Sequence, residues 1–428
     1  SLNSPDRYSS TINFLWRIIA SSDNQCHWHS CKYQKTIMIR IAICGAHLTP
    51  ALALIEKLEK RDRQIIFFGR KYATEGAKNY SAEYRIIQKK KNITFLSITT
   101  GRLQRKFTRF TIPSLLKIPI GVIQSFFYLL KYRPRVVVSF GGYLSLPVVF
   151  CAWLVGIDSL VHEQSAMPGL ANRISSFFAR KIFLTWRQTL KFFPKEKTKV
   201  IGNLTRAGVF KKSTPNSKIQ KFLDKDGRMI FVTGGNQGSH FLNRKITDLL
   251  PKLGQYLIQR KALLTRREAL LTRREALLTR REALLIFHQV GTANFEGDLD
   301  KARKIASSSY FAADYLGPDE IGAVLARADL VIARSGANTV WDLGVAAKVA
   351  ILIPLPISAS GEQEVNAKIL ENAGSAIVIL QHDASEASLE KAITRVFQEY
   401  ELFKAKAKKF SQTLPQTAAQ SLAQEISL

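Results

Sequence analysis

Cysteine is scarce, four among 428 residues, too few for a scaffold built on disulfides. Cys44 ends an apolar run and Cys151 sits inside another, as small buried hydrophobes do in a reducing compartment. The remaining pair lies in Cys26-His27-Trp28-His29-Ser30-Cys31, whose spacing matches no familiar zinc pattern. No clear metal-binding carboxylate pair stands out either, so neither a metal nor a cofactor is expected. Acidic residues are few, 33 against 63 Lys plus Arg, giving +30 at pH 7. That balance implies anionic partners: phosphates, nucleic acid or an acidic membrane surface. Nucleic acid drops out because the chain has no recognition helix, stacking-aromatic motif or zinc module.

A long uninterrupted apolar run is also lacking. The best candidate, Thr111 to Leu130, contains Pro113, Lys117 and Pro119 and is edged by Arg102, Arg105, Lys106 and Arg109 before it and Lys131, Arg133 and Arg135 after it. Such a segment is expected to lie in the headgroup region rather than to cross. Residues 1–37 lack the basic start and small-residue cleavage site of a secretory signal and read as an extension outside the fold.

What is present suits a folded, globular chain. With 46% hydrophobic and 22% charged residues the chain can bury a sizeable core, and its length suits two domains. A repeat, Thr-Arg-Arg-Glu-Ala-Leu-Leu, runs three times from Thr265 to Leu285. Its seven-residue period predicts a helical arm, most simply a duplication tolerated at the surface. The repeat carries +3 and residues 1–37 carry +2, leaving about +25 on the body.

From Met38 onward, short apolar runs alternate with amphipathic stretches. Candidate strands are Ile39 to Ile43, Ile65 to Phe68, Ile93 to Ile98, Val136 to Ser139, Leu160 to His162 and Lys181 to Leu184. A second set comprises Met229 to Thr233, Ala283 to Gln289, Leu330 to Ala333, Ala350 to Ile353 and Ala376 to Leu380. Continuous apolar strands predict parallel sheets covered on both faces, hence two doubly wound α/β domains joined near Val200 to Phe210. The expected layout is 38–200, 201–395 with the 265–285 repeat inserted, and a helical segment 396–428 able to pack on either domain. Ligands in such folds bind beyond the carboxyl ends of the strands.

Several turns fall at those ends. Phe231 to Ser239 is a strand followed by a glycine-rich turn and a helix, suited to a diphosphate, with Asn236 and Gln237 able to bond a nucleotide or sugar. Gly361 to Asn366 could likewise hold sugar hydroxyls. Arg334 to Asp342 places a carboxylate just inside a helix, where it would either take both ribose hydroxyls or answer the helix dipole. Cys44 to His47 sets a histidine at a strand-to-helix turn, with a pKa suited to removing a proton near neutrality. Ser139 to Pro147 and His162 to Gly169 are further strand-end turns.

In this order, and together with Gly202-Asn203-Leu204-Thr205-Arg206, these strings resemble the MurG family of bacterial glycosyltransferases, which add N-acetylglucosamine to the lipid-linked peptidoglycan precursor lipid I. The resemblance covers about Met38 to Leu380 and implies a GT-B fold: two Rossmann-like domains facing a central cleft. It implies inverting, metal-independent transfer from UDP-N-acetylglucosamine to the muramyl 4-hydroxyl of lipid I (undecaprenyl-pyrophosphoryl-MurNAc-pentapeptide), with His47 as base. The implied donor site comprises Arg206, Asn236, Gln237, Gly238, Leu316 near the uracil, Ala337, Asn338, Thr339, Val340, Trp341, Asp342 at the ribose, and Gln363. Cys44, Gly45, Ala46, Gly141, Gly142, Tyr143, Glu163, Gln164 and Ser165 would face the acceptor and the cleft. Work at the cytoplasmic face of the inner membrane, as a peripheral protein on an anionic surface, is expected. The family's first loop is richer in glycine, its His-Glu-Gln is followed by asparagine where this chain has Ser165, and its ribose glutamate is here Asp342. These departures keep open a catalytically silent homologue, or a transferase for another lipid-linked acceptor.

Overall fold

The computed structural model describes residues 39–45, 47–58, 63–72, 80–101, 111–205, 215–251, 284–305, 307–358 and 361–427. Ala46, Arg206, the extension 1–37 with its Cys26 to Cys31 cluster, and the repeat as far as residue 283 lie outside them.

Seven strands build the first lobe: β1 Ile39–Cys44, β2 Arg63–Gly69, β3 Ile93–Ser97, β4 Val136–Ser139, β5 Asp158–Glu163, β6 Lys181–Leu184 and β7 Thr198–Val200, in the order β3-β2-β1-β4-β5-β6-β7. Six build the second: β8 Arg228–Thr233, β9 Leu284–Gln289, β10 Tyr310–Ala313, β11 Leu330–Ala333, β12 Val349–Leu352 and β13 Ala376–Val378, in the order β10-β9-β8-β11-β12-β13. Every pairing is parallel. The central strands are mostly apolar because helices cover both faces, which leaves β4, β11 and β12 buried at every position. In each sheet the order reverses beside the first strand, between β1 and β4 and between β8 and β11. Helices depart to opposite faces there, so a crevice opens at the carboxyl ends.

The C-terminal helices divide between the lobes. Glu386–Gln398 and Tyr400–Ser411 pack on the second sheet through Leu389, Val396 and Phe403. Ala418–Ser427 crosses back, and its Ala418, Leu422 and Ile426 enter the same core as Ile41 and Leu54. The segment beyond residue 396 is therefore shared between the lobes.

Thr111–Tyr132 is a 22-residue helix, long and apolar enough to cross a bilayer over Ser114–Tyr132. One face packs inward through Ser125 and Leu129, both at 0% exposure, and Cys151 Sγ from helix Ser145–Leu154 donates to its Val122 carbonyl. The opposite face leaves Leu116, Ile123 and Phe127 exposed. It lies along the lobe as an amphipathic surface helix.

Candidate active site

The two crevices face one another across a single cleft of ≈ 1420 Å³ lined from both lobes. On the first lobe, β1 runs into Gly45, whose φ of +136° and close approach to Gly141 leave no room for a side chain: a Cβ would stand 2.9 Å from the Gly141 carbonyl oxygen. This contact between the β1 and β4 turns brings His47 to the cleft beside Gly142 and Tyr143. His47 opens to solvent through the cleft and is otherwise walled by protein, which lowers its pKa from the usual 6.5. Cys44 is buried, with burial pushing its thiol up to about 12, so it is inert toward a ligand.

β5 delivers His162 and Glu163. His162 Nε2 donates to the Gly202 carbonyl at 2.9 Å, while Nδ1 accepts from Gln164 Nε2 at 3.1 Å. Burial lowers its pKa to about 4, so it is neutral and fixed in one tautomer. Glu163 is 4% exposed and accepts from Ser165 N at 2.9 Å, Gly169 N at 3.1 Å and Asn172 Nδ2 at 2.9 Å. Desolvation outweighs these three donors and, with a smaller push from Glu362, raises its pKa to about 7. Glu163 thus shapes the 163–169 turn, and with Gln164 and Ser165 it lines the cleft.

On the second lobe the turn after β8 has a backbone that only glycine permits. Gly238 has φ +86°, and a Cβ there would fall 2.0 Å from the Val290 carbonyl oxygen. The strand end after β9 clamps this turn, Thr292 N donating to Asn236 O at 3.0 Å and Ala293 N to Gln237 O at 3.2 Å. Helix 240–251 then starts at the cleft, which Asn236, Gln237 and Gly238 line together with its first residues His240 and Phe241.

After β11, helix Ala337–Val345 contributes Ala337, Asn338, Thr339 and Asp342 to the wall. Asp342 is the sixth residue of that helix, beyond its first turn, so the helix dipole gives little account of it. Gln363 Oε1 accepts from Leu355 N at 3.0 Å, which leaves its amide nitrogen for the cleft. Val340, Trp341 and Leu316 are buried in the core; contact of these three with a ligand would run through their backbone.

Asn366 departs from the sequence reading. It is fully buried and faces no sugar: its Oδ1 accepts from Ala166 N at 2.9 Å and Ser165 Oγ at 3.3 Å, joining the lobes. Asn203 Nδ2 to Asn338 Oδ1 at 2.8 Å, Trp341 Nε1 to Thr205 Oγ1 at 2.8 Å, and edge-on packing of Trp186 against Trp341 make further links. Asn172 and Trp186 had no sequence signal: Asn172 serves Glu163 from the next helix, and Trp186 acquires its role from Trp341, distant along the chain.

Known proteins share both halves. Residues 229–425 match the model of the glycosyltransferase family 28 C-terminal domain and residues 39–184 that of its N-terminal domain. The chain is 29% identical to the UDP-N-acetylglucosamine--N-acetylmuramyl-(pentapeptide) pyrophosphoryl-undecaprenol N-acetylglucosamine transferase of Myxococcus xanthus (strain DK1622), over 85% of each chain. It is 29% identical to the transferase 2 of that name from Bacillus cereus (strain ATCC 10987 / NRS 248), over 90% of this chain and 96% of the relative. Among solved structures, MurG of Acinetobacter baumannii superposes with a TM-score of 0.61 at 22% identity, over 91% of this chain and 99% of that one. A UDP-GlcNAc 2-epimerase from Neisseria meningitidis gives 0.57 at 9% identity, over 91% and 100%. These likenesses identify the two-lobed fold as GT-B. Matched in order by the N-terminal and C-terminal domains of one family, the chain belongs to glycosyltransferase family 28.

Proposed function

We propose that this protein transfers N-acetylglucosamine from UDP-N-acetylglucosamine to the muramyl 4-hydroxyl of lipid I, with inversion, forming lipid II. The names of the relatives support this reading. The observation that carries it is the junction of two unlike crevices in one cleft: a glycine-rich turn and helix start on the second lobe, opposite His47 on the first. UDP would set its diphosphate against the turn 234–239 and its ribose on Asp342, with Leu316 backbone near the uracil and Gln363 on the sugar. The muramyl hydroxyl attacks the anomeric carbon as the bond to the β-phosphate oxygen breaks, and His47 takes the hydroxyl proton. Helix 240–251 and Arg206 would stabilise the charge left on UDP.

The acceptor side suits a lipid-linked sugar. Ile118, Val122, Phe150, Leu170, Ile174 and Phe178 give that end of the cleft an apolar wall. Two residues of this wall, Ile118 and Val122, belong to the helix whose other face exposes Leu116, Ile123 and Phe127. An apolar helix face on a body of about +25 favours peripheral docking on an anionic bilayer, which for this acceptor is the cytoplasmic face of the inner membrane. Transfer to a lipid I analogue, followed with His47→Ala, tests the assignment: turnover should collapse while UDP still binds. Loss of both, or retention of turnover, would contradict the role given to His47.

A further inference from the structure

Arg334, directly after β11, is 8% exposed and lines the cleft. Its Nε donates to Ser239 Oγ at 3.0 Å, Nη1 to the carbonyls of Ile353 at 3.0 Å and Pro354 at 3.1 Å, and Nη2 to Gln381 Oε1 at 2.7 Å. The Phe241 ring lies 5.5 Å from the guanidinium carbon. None of these partners is charged, and among the described residues no carboxylate pairs with Arg334. Desolvation alone lowers its pKa, to about 10, so it stays cationic at neutrality. A guanidinium buried without a counter-ion is costly unless an anion arrives to match it.

Ser239 shows where that anion would sit. The serine precedes helix 240–251, and its oxygen accepts from Arg334 Nε and, at 3.5 Å, from Leu242 N. Both lone pairs are thereby engaged, so its single proton must be donated onward. No acceptor for that proton occurs among the described residues, and Ser239 faces the cleft beside Gly238. A hydroxyl that accepts from a cation is a stronger donor.

We propose that Ser239 donates its hydroxyl to a phosphate oxygen of the nucleotide's diphosphate, with Arg334 as the positioning residue behind it that supplies the matching buried charge. The relay rests on the nucleotide-sugar reading and adds to it a specific donor, the Ser239 hydroxyl within the turn already set against the diphosphate, and the buried cation behind it.

Calorimetry with uridine, UMP and UDP separates the two levels. Against wild type, Ser239→Ala and Arg334→Gln should each weaken UDP about tenfold or more, the loss of one charge-assisted hydrogen bond, weaken UMP less, and leave uridine unchanged. Acting in series, the two changes combined should cost little more than Arg334→Gln alone. Equal weakening of uridine and UDP, or penalties that multiply, would overturn the relay. If Arg334→Gln does not fold, Ser239→Thr decides: it keeps the hydroxyl and should retain UDP binding that Ser239→Ala loses, and equal behaviour of the two overturns the proposal. A wild type that binds none of the three ligands would remove the nucleotide-sugar reading itself, whereas wild-type binding indifferent to Ser239→Ala would remove the relay alone.

Discussion

Replacing Glu163 by Gln keeps size and shape and inverts one hydrogen-bonding role. One carboxylate oxygen accepts from Ser165 N, the other from Gly169 N and Asn172 Nδ2. Asn172 can turn its own amide at the expense of a long bond, 3.4 Å, from Nδ2 to the His162 carbonyl, because its Oδ1 has no partner. The two backbone amides cannot turn, so in either orientation the new NH2 group faces one of them. An unsatisfied buried donor costs about 1 to 3 kcal/mol, and a loss of about 2 kcal/mol lowers the melting temperature of a domain this size by roughly 5 °C. The penalty also depends on pH. The folded pKa of about 7 lies above the ordinary 4.5, so the stability linked to protonated Glu163 is fully present below 4.5 and is lost as pH rises through 7. That loss amounts to about 3 kcal/mol in wild type and is absent from the variant. Melting curves should therefore show Glu163→Gln clearly less stable than wild type at pH 5, with the gap closing or reversing by pH 8. A gap that does not move with pH would refute the account of a desolvated carboxyl, and equal stability at pH 5 would refute the account of the turn.

His47 has its pKa below 6.5, so the neutral form persists to lower pH, and the acidic limb of kcat/KM should fall below the ordinary histidine range; a limb above 6.5 that His47→Ala removes would refute the lowered pKa. Gly238→Ala forces a Cβ against Val290 O at 2.0 Å. The turn must move, and calorimetry should show UDP affinity falling by at least about tenfold while the fold survives. Deleting Thr265 to Leu285 should leave turnover nearly unchanged, because Leu263 and Leu264 then supply the two leucines that begin β9; a large drop in turnover would mean that the repeat has a task of its own.

Much of the architecture was legible because parallel strands read as continuous apolar runs and because the chemistry clusters where those runs end. β7 escaped notice: Thr-Lys-Val at an edge is short and polar, and only its neighbour β6 makes it a strand. His47, Glu163, Gln237 and Asp342 could be named because each stands in a motif beside a strand end. Asn366 could not be read correctly, since its partner Ala166 lies 200 positions away and an amide suited to a sugar is equally suited to a backbone N–H. The destination of Ala418–Ser427 was open for a similar reason, as its apolar stripe fits any exposed sheet flank. The helical reading of the repeat, and the roles given to Arg206 and Ala46, fall outside the described residues.

The return of Ala418–Ser427 to the first lobe means that the polypeptide passes between the lobes twice. The two passages touch, since a Cβ on Gly202 would meet the Trp341 ring at 2.7 Å and Pro415 at 2.9 Å. Like covers stitched along one spine, the halves are held together along one edge by both passages. Cutting the last turns of chain would break a stitch and strip the outer layer from the lobe at the opposite end of the sequence.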